Sequence, residues 1–286
     1  MSGHCVEAEV ALRPLTADDL EAARGLSQAV GWPHRLEDWR FVQALGSGLA
    51  AERAGRLLGT VMGWHFGTGY AALGMVIVAP EAQGQGLGRR LTAAAVAALE
   101  GRGILLHATA AGQPLYASLG FVTSGEVWKH EGVVAPAGPA VPGAGERLRP
   151  AERRDATMLA ALDQAATGLD RAPLIAALLA GAEAVVLERE GGPAGFAMLR
   201  RFGRGWTVGP VVAPDAAAAQ ALVAHWLAAC GGRALRIDVP AESGLSPWLR
   251  AWGLQPAGAA TAMRRGPAPA SGGVVHRFAL VNQALG

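Results

Sequence analysis

The chain is written twice, and that duplication limits what it can fold into more than any other feature. At an offset of about 135 residues, Leu12-Arg13-Pro14 recurs as Leu148-Arg149-Pro150, and Asp19 recurs as Asp155. Gly59 within Leu57–Met62 corresponds to Gly195 within Ala194–Met198. Val78-Ala79-Pro80, followed by Glu81, reappears as Val212-Ala213-Pro214 followed by Asp215, and Leu119-Gly120-Phe121 is echoed by Trp252-Gly253-Leu254. One such pair arises by chance; five pairs in order at nearly constant spacing indicate a repeated fold. The 286 residues, 51% of them hydrophobic, suffice for two cores, each in a domain of about 130–150 residues. Proline and glycine without hydrophobic periodicity fill Val133–Gly145, which reads as a linker. The expected domains are therefore 1–132 and 147–286, joined by 133–146.

Each half repeats one plan. A first strand leads into helical segments near 17–30 and 154–165, and two or three strands follow. A helix near 87–100 and 215–229 then precedes a strand, a short helix and a final strand. Leu87, Leu91, Ala95, Ala98 and Leu99 share one helical stripe suited to packing on a sheet. The fold class is α/β with a mixed sheet, twice.

A net charge of +2 without basic runs argues against a nucleic acid or an acidic membrane as partner. Cys5 and Cys230 are the only cysteines, so neither a disulfide framework nor a thiolate metal site is expected. No apolar run approaches the ~20 residues that span a bilayer. The N-terminal residues lack a basic segment followed by an apolar one. The expectation is a soluble, cytoplasmic protein.

The chemistry is concentrated in Val76–Leu91. A β-branched strand enters a proline, then a loop with glycines at 84, 86 and 88, and then an Ala- and Leu-rich helix. Backbone N–H groups converging at a helix N-terminus, together with the helix dipole, make a site for a pyrophosphate. Glycines let the backbone approach it. No Lys-Ser or Lys-Thr follows the last glycine, so the usual contacts of a nucleoside triphosphate and its Mg²⁺ are missing. Arg90 occupies the third-glycine position of a dinucleotide fingerprint counted from Gly86. The pattern present is Gln83-x-x-Gly86-x-Gly88 directly after a Val-x-Val-x-Pro strand. This resembles the acetyl-CoA loop of the GNAT acetyltransferase superfamily, Gln/Arg-x-x-Gly-x-Gly/Ala, at all three positions. A second GNAT-like string, Leu-Tyr-x-x-Leu-Gly-Phe, is matched by Leu115, Tyr116, Leu119, Gly120 and Phe121.

The whole chain resembles a bacterial group of two-domain GNAT proteins with an intact first domain and a degenerate second one. Supporting strings are Ala108–Gly112, Gly168–Arg171 and Phe278–Gly286. In the second copy Ala217, Gln220 and Leu222 stand where Gln83, Gly86 and Gly88 stand in the first, and Leu249 replaces Tyr116. One cofactor site per chain is expected.

The resemblance implies two splayed central strands in each sheet. The backbone of Val76, Ile77 and Val78 would meet the pantetheine arm. Gln83, Gly84, Gln85, Gly86, Leu87, Gly88 and Arg89 would hold the pyrophosphate. It also implies Tyr116 as general acid to the CoA thiolate. His107 and His65, each on a strand, are candidates for accepting the amine proton, directly or through water; ordered water alone is the alternative. Glu81 reads as a solvated loop acid. Trp32 and Trp64, with Trp39, are candidate acceptor-binding aromatics or core residues. Asp170-Arg171 is a cleft charge pair or a helix start. The implied activity is acetyl transfer from acetyl-CoA, without metal, to a small-molecule primary amine. A protein N-terminus or lysine as acceptor, a non-catalytic CoA-binding sensor and a nucleotide-binding module are the alternatives, and a homodimer is left open.

Overall fold

The computed structural model describes residues 9–136, 138 and 141–286; Cys5 and Ala137, Pro139 and Ala140 of the expected linker lie outside them. The chain divides into two compact units. One comprises the chain up to Trp64 together with Leu73–Glu100, and the other His65–Ala72 together with Gly101–Gly286. These units do not coincide with the two sequence repeats, because the second takes in the closing strands of the first repeat.

The first unit holds β1 (Ala11–Pro14), α1 (Leu20–Ala29), α2 (Leu36–Leu45), β2 (Ser47–Arg53), most of β3 (Arg56–Phe66) and β4 (Tyr70–Val78), and α3 (Leu87–Ala98), with strand order β1-β2-β3-β4. Ala54 and Gly55 turn β2 into β3 with φ of 50° and 78°, the paired positive angles of a tight hairpin. The core gathers Trp39, Val42, Leu58, Met62, Trp64 and Leu91, all buried. Trp39 Nε1 donates to Ser27 Oγ at 3.0 Å and Trp64 Nε1 to the Val42 carbonyl at 2.8 Å, so both buried indoles are satisfied. Gly59 is obligatory, since a Cβ there would lie 2.8 Å from the Ile77 carbonyl oxygen and 2.9 Å from Leu91. Its counterpart Gly195 would meet the Val212 carbonyl oxygen at 2.6 Å.

The second unit holds β5 (Gly103–Ala108), α4 (Gln113–Ser118), β6 (Val122–Val133), β7 (Arg147–Pro150), α5 (Ala156–Thr167), α6 (Ala172–Gly181), β8 (Glu183–Arg189), β9 (Gly192–Phe202), β10 (Gly205–Ala213), α7 (Ala216–Ala229), β11 (Ala234–Pro240), α8 (Ser246–Ala251), β12 (Gln255–Arg265) and β13 (His276–Ala279). Its strands run β5-β12-β6-β11-β10-β9-β8-β7, with β13 on β10. The repeats have exchanged their last strands. β12 of the second repeat pairs with β5 of the first, from Thr261↔Ala108 to Arg265↔Ile104. β6 of the first repeat pairs with β11 of the second, from Val127↔Pro240 to Val133↔Ala234. β6 and β12 also pair with each other. Val134, inside the expected linker, is fully buried, and its N–H donates to the Arg233 carbonyl at 3.3 Å. The apolar face of α7, including Leu222, Val223, Trp226 and Leu227, packs into a core with Val208, Val211, Leu235, Leu249 and Leu254.

The duplication extends to side-chain chemistry. Arg13 pairs with Asp19 and Glu52, each at 2.7 Å, and Arg149 pairs with Asp155 at 2.7 Å and Glu188 at 2.6 Å. Each aspartate also accepts the backbone N–H three residues earlier, Thr16 at 2.8 Å and Glu152 at 2.7 Å. Hydrogen bonding from Arg13 holds the Asp19 carboxyl at about 2, and Arg149 lowers Asp155 in the same way. The Leu-Arg-Pro strings therefore mark a clamp between the first strand and the helix start of each repeat.

Because β5 and β11 each take a partner strand from the other repeat, neither repeat should fold alone. A chain ending at residue 146 is expected to be insoluble or to lack a cooperative thermal transition. Co-expression with 147–286 should restore a soluble 1:1 complex on size exclusion.

Candidate active site

In the first unit, β4 changes character partway along. Met75 has φ of 52°, unusual for a residue with a side chain. Thr60 Oγ1 pins this bend by donating to the Met75 carbonyl at 2.8 Å. After it Ile77 is buried, while Val76 and Val78 are half-buried. The parallel ladder from β4 to β5 covers only Tyr70↔Gly103 to Ala72↔Leu105. Among the described residues, Leu73–Val78 have no ladder partner on that edge. The backbone of Val76, Ile77 and Val78 thus runs along an edge without a ladder partner, where the Val78 carbonyl is taken by a side chain of the following loop.

Pro80–Ala82 form a single 3₁₀ turn before the loop. Gln83 is exposed and its side chain donates back to the Val78 carbonyl at 3.1 Å; Gln85 does the same to Glu81 at 3.1 Å. Arg56 pairs with Glu81, which is a loop acid tied to a cation. Gly84 and Gly86 have φ of 75° and 76°, and a Cβ at either would meet nothing within 4 Å. Their glycine is demanded by conformation, with open space above. Gly86 is the N-cap of α3 and no side chain caps this helix. Among the described residues no backbone acceptor takes the N–H groups of Gly84, Gln85, Gly86, Leu87 or Gly88. Arg89 is exposed, whereas the Leu87 side chain is core, so Leu87 contributes only its backbone. Clustered free donors at the start of a twelve-residue helix suit a pyrophosphate.

Elsewhere in this unit, Trp64 corrects a sequence expectation. It is 1% exposed and its indole N–H is already bonded, so it is a core residue and offers no face to an acceptor. Trp32 is half-buried and lies edge-on to His34 at 5.7 Å. His34 was not singled out by sequence; its Nδ1 lies 3.1 Å from Ser27 Oγ, the atom that accepts from Trp39.

In the second unit, α4 buries the Tyr116 ring, which meets Phe121 edge-on at 6.0 Å. Burial pushes the phenol up to about 12. Gly112 precedes α4, and a Cβ there would come within 3.1 Å of the Tyr116 ring. His107 on β5 is half-buried, opposite Ala262 of β12. Its Nδ1 is 2.9 Å from the Gln283 carbonyl oxygen. A carbonyl only accepts, so Nδ1–H donates and the lone pair of the neutral ring lies on Nε2. Burial, then the positive charge of Arg277, lowers this imidazole to about 4. His65, near the end of β3, is exposed, and its side chain has no hydrogen bond among the described residues.

The equivalent region of the second repeat is filled by its own chain. The β10–β11 ladder also covers only three positions, Trp206↔Leu235 to Val208↔Ile237. Beyond it, β13 pairs with β10 from Val211↔Ala279 to Ala213↔His276. Asp215 caps α7, accepting the Ala218 N–H at 2.9 Å while paired to Arg189 at 2.7 Å. A carboxylate of the chain itself thus sits at this helix start. Arg171 is neither a cleft charge nor merely a helix start. It is buried, binds Asp163 through Nε at 2.9 Å and Nη2 at 2.7 Å, and donates through Nη1 to the Leu285 and Gly286 carbonyls at 3.0 and 2.6 Å. No group of three or more His, Cys, Asp or Glu able to hold a metal occurs among the described residues.

Two family models described as "Acetyltransferase (GNAT) domain" match residues 45–123 and 159–272. The "Uncharacterized N-acetyltransferase YitH" of Bacillus subtilis is 32% identical over 220 residues, 75% of this chain and 76% of that protein. Among solved structures, a Pyrococcus horikoshii protein assigned as an acetyltransferase superposes with a TM-score of 0.81 at 20% identity, covering 97% of this chain and 96% of the other. A tandem GNAT protein from the clavulanic acid biosynthesis pathway gives a TM-score of 0.60 at 16% identity, covering 91% and 100%. Fold, motifs and relatives agree, and the chain belongs to the GNAT N-acetyltransferase superfamily, with two GNAT-like regions.

Proposed function

We propose that the first repeat, residues 1–132, is the catalytic half of a cytoplasmic enzyme. It transfers the acetyl group of acetyl-CoA to a primary amine of a small molecule by direct attack on the thioester, and the second repeat, residues 147–286, binds no CoA. The observation that carries this reading is the contrast between the two helix starts. Gly84–Gly88 present free N–H donors to an anion, whereas Asp215 already satisfies its counterpart.

In this reading the backbone of Val76, Ile77 and Val78 aligns the pantetheine arm, and an N–H there polarises the acetyl carbonyl. The loop from Gln83 to Arg89 holds the pyrophosphate. Tyr116 serves the departing sulfur. At about 12 its phenol lies well above a thiol's ~8.5, so full proton transfer to the thiolate runs uphill. Tyr116 therefore acts chiefly as a hydrogen-bond donor that strengthens as sulfur gains charge. His107 takes the amine proton at Nε2, directly or through water. Trp32 remains the aromatic candidate for the acceptor. A protein N-terminus or lysine is the second choice of acceptor, and a CoA-binding sensor would bind CoA without releasing thiol in an amine panel.

Tyr116→Phe should lower kcat at least about tenfold with little change in the KM for acetyl-CoA. Wild-type turnover in that variant would remove the hydroxyl from the reaction. Gly86→Ala forces a side chain into a positive-φ position at a cost of about 1 kcal/mol. It should raise the KM for acetyl-CoA at least about fivefold while leaving kcat within about twofold, read by steady-state thiol release. With His107 held at about 4, protonation removes its lone pair only below that region. Titration of His107 should therefore add no limb to the kcat–pH profile across the neutral range, and an acid limb there that vanishes in His65→Ala would move the role to His65.

A further inference from the structure

The hydrogen bond that fixes His107 comes from the far end of the chain. Leu280–Gly286 form a compact turn in the second repeat, and most of the polar groups of that turn are engaged. The Leu280 N–H donates to the Asp238 carbonyl at 2.9 Å, the Val281 N–H to the Gly286 carbonyl at 3.2 Å, and the Gly286 N–H to the Asn282 carbonyl at 3.0 Å. Asn282 Oδ1 accepts the N–H groups of Ala284 and Leu285, each at 2.9 Å. Gln283 Nε2 donates to Asp238 Oδ1 at 3.2 Å, and Arg200 Nη2 to the Val281 carbonyl at 3.1 Å. Arg171 holds the Leu285 and Gly286 carbonyls. The Gln283 carbonyl is left for the imidazole 176 positions earlier in the chain.

We propose that the Leu280–Gly286 turn is a positioning element for the transfer reaction: its Gln283 carbonyl locks His107 as the Nδ1–H tautomer and aims an unprotonated Nε2 for the acceptor amine. This rests on the acetyl-transfer reading. The turn has no group of its own in the reaction. It works by denying His107 the other tautomer, whose Nε2–H could not accept a proton, and by fixing the ring plane. The charged groups around the imidazole are Arg277 of β13 and Arg171 at the start of α6, with Asp163 paired to Arg171 and Asp238 tied to Gln283; β12 presents Ala262 opposite. Both cations oppose protonation of the ring, so the carbonyl orients a neutral imidazole. The second repeat thus contributes one hydrogen bond to the first repeat's chemistry.

The test is ¹⁵N spectroscopy of histidine-labelled full-length protein, with the His107 signal identified by its loss in His107→Gln. The wild type should show a single neutral Nδ1–H tautomer from pH 5 to 8. Asn282→Ala removes the acceptor for two turn N–H groups, and the milder Gln283→Ala removes only the tie to Asp238. Each should give mixed tautomers, an apparent pKa moved toward ~6.5, and kcat lowered at least fivefold with the KM for acetyl-CoA unchanged. A wild-type Nε2–H tautomer overturns the proposal, and so does mixed tautomerism with undiminished kcat. If Asn282→Ala unfolds, Gln283→Ala and the wild-type spectrum still decide it. Absence of thiol release by the wild type with every amine, while the Nδ1–H tautomer persists, would instead defeat the acetyl-transfer reading.

Discussion

The exchange of β6 and β12 is the constraint on which the second unit depends. A strand in the middle of a sheet must satisfy hydrogen bonds on both sides, and β5 finds its second partner only in β12. The first repeat therefore cannot complete the strand that carries His107 without the last strand of the second. Reciprocally, β11 depends on β6. Covalent linkage makes this exchange intramolecular, so it carries none of the concentration dependence of a swapped dimer. The second repeat is thereby part of one interleaved sheet, and its own chain fills the region equivalent to the open edge and helix start of the first.

That closure shows how one fold reaches two outcomes. A helix start leaves orphan N–H donors that require partners. At α3 the chain supplies Gly86, which has no side chain to cap with, and the donors remain for an anion. At α7 it supplies Asp215, whose carboxylate accepts from Ala218. A tethered carboxylate is always present, so an external phosphate would have to displace it and break its pair with Arg189 as well. The same substitution of self for ligand occurs at the strand edge, where β13 lies on β10 and Leu73–Val78 of β4 have no such partner. These two replacements are local and independent, and on the proposed reading either alone would hinder a CoA molecule.

Much of this was legible in the sequence, and the reason differs by feature. The repeat was visible because backbone-critical residues recur: Gly59 and Gly195 each sit where a Cβ would strike a carbonyl, and the Leu-Arg-Pro strings carry the same clamp. The loop was visible because positive φ at Gly84 and Gly86 demands glycine. The exchange was not, since alternation marks β6 and β12 as strands without saying which neighbour each takes. Met75 has a conformation that its composition does not announce. Trp64 was ambiguous because an aromatic in a strand suits a core and a binding face equally, and only the Val42 carbonyl resolves it. In the sequence Arg171 has only local neighbours to suggest a role, because its partners at Leu285 and Gly286 are more than a hundred residues away. The expected 133–146 linker erred at its start, where Val134 continues into the core.

The electrostatics of the second unit bear on which amine would react. Burial drives the Tyr116 phenol up to about 12 and the His107 imidazole down to about 4, so neither changes charge across the neutral range. The pH dependence of turnover then belongs to the amine itself, which must lose a proton before it can attack. An α-amine with a pKa of ~7.7–8 is unprotonated in roughly a tenth of molecules near pH 7, whereas a lysine-like amine at ~10.4 is so in fewer than about one in a thousand. His107 can take the proton released as the amine attacks, but at about 4 it does not deprotonate an ammonium of either kind in advance. A site whose side chains stay neutral thus favours acceptors that arrive already neutral. In the proposed reaction this gives an α-amine of low pKa an advantage over polyamines and lysine side chains before any contact with the acceptor is considered.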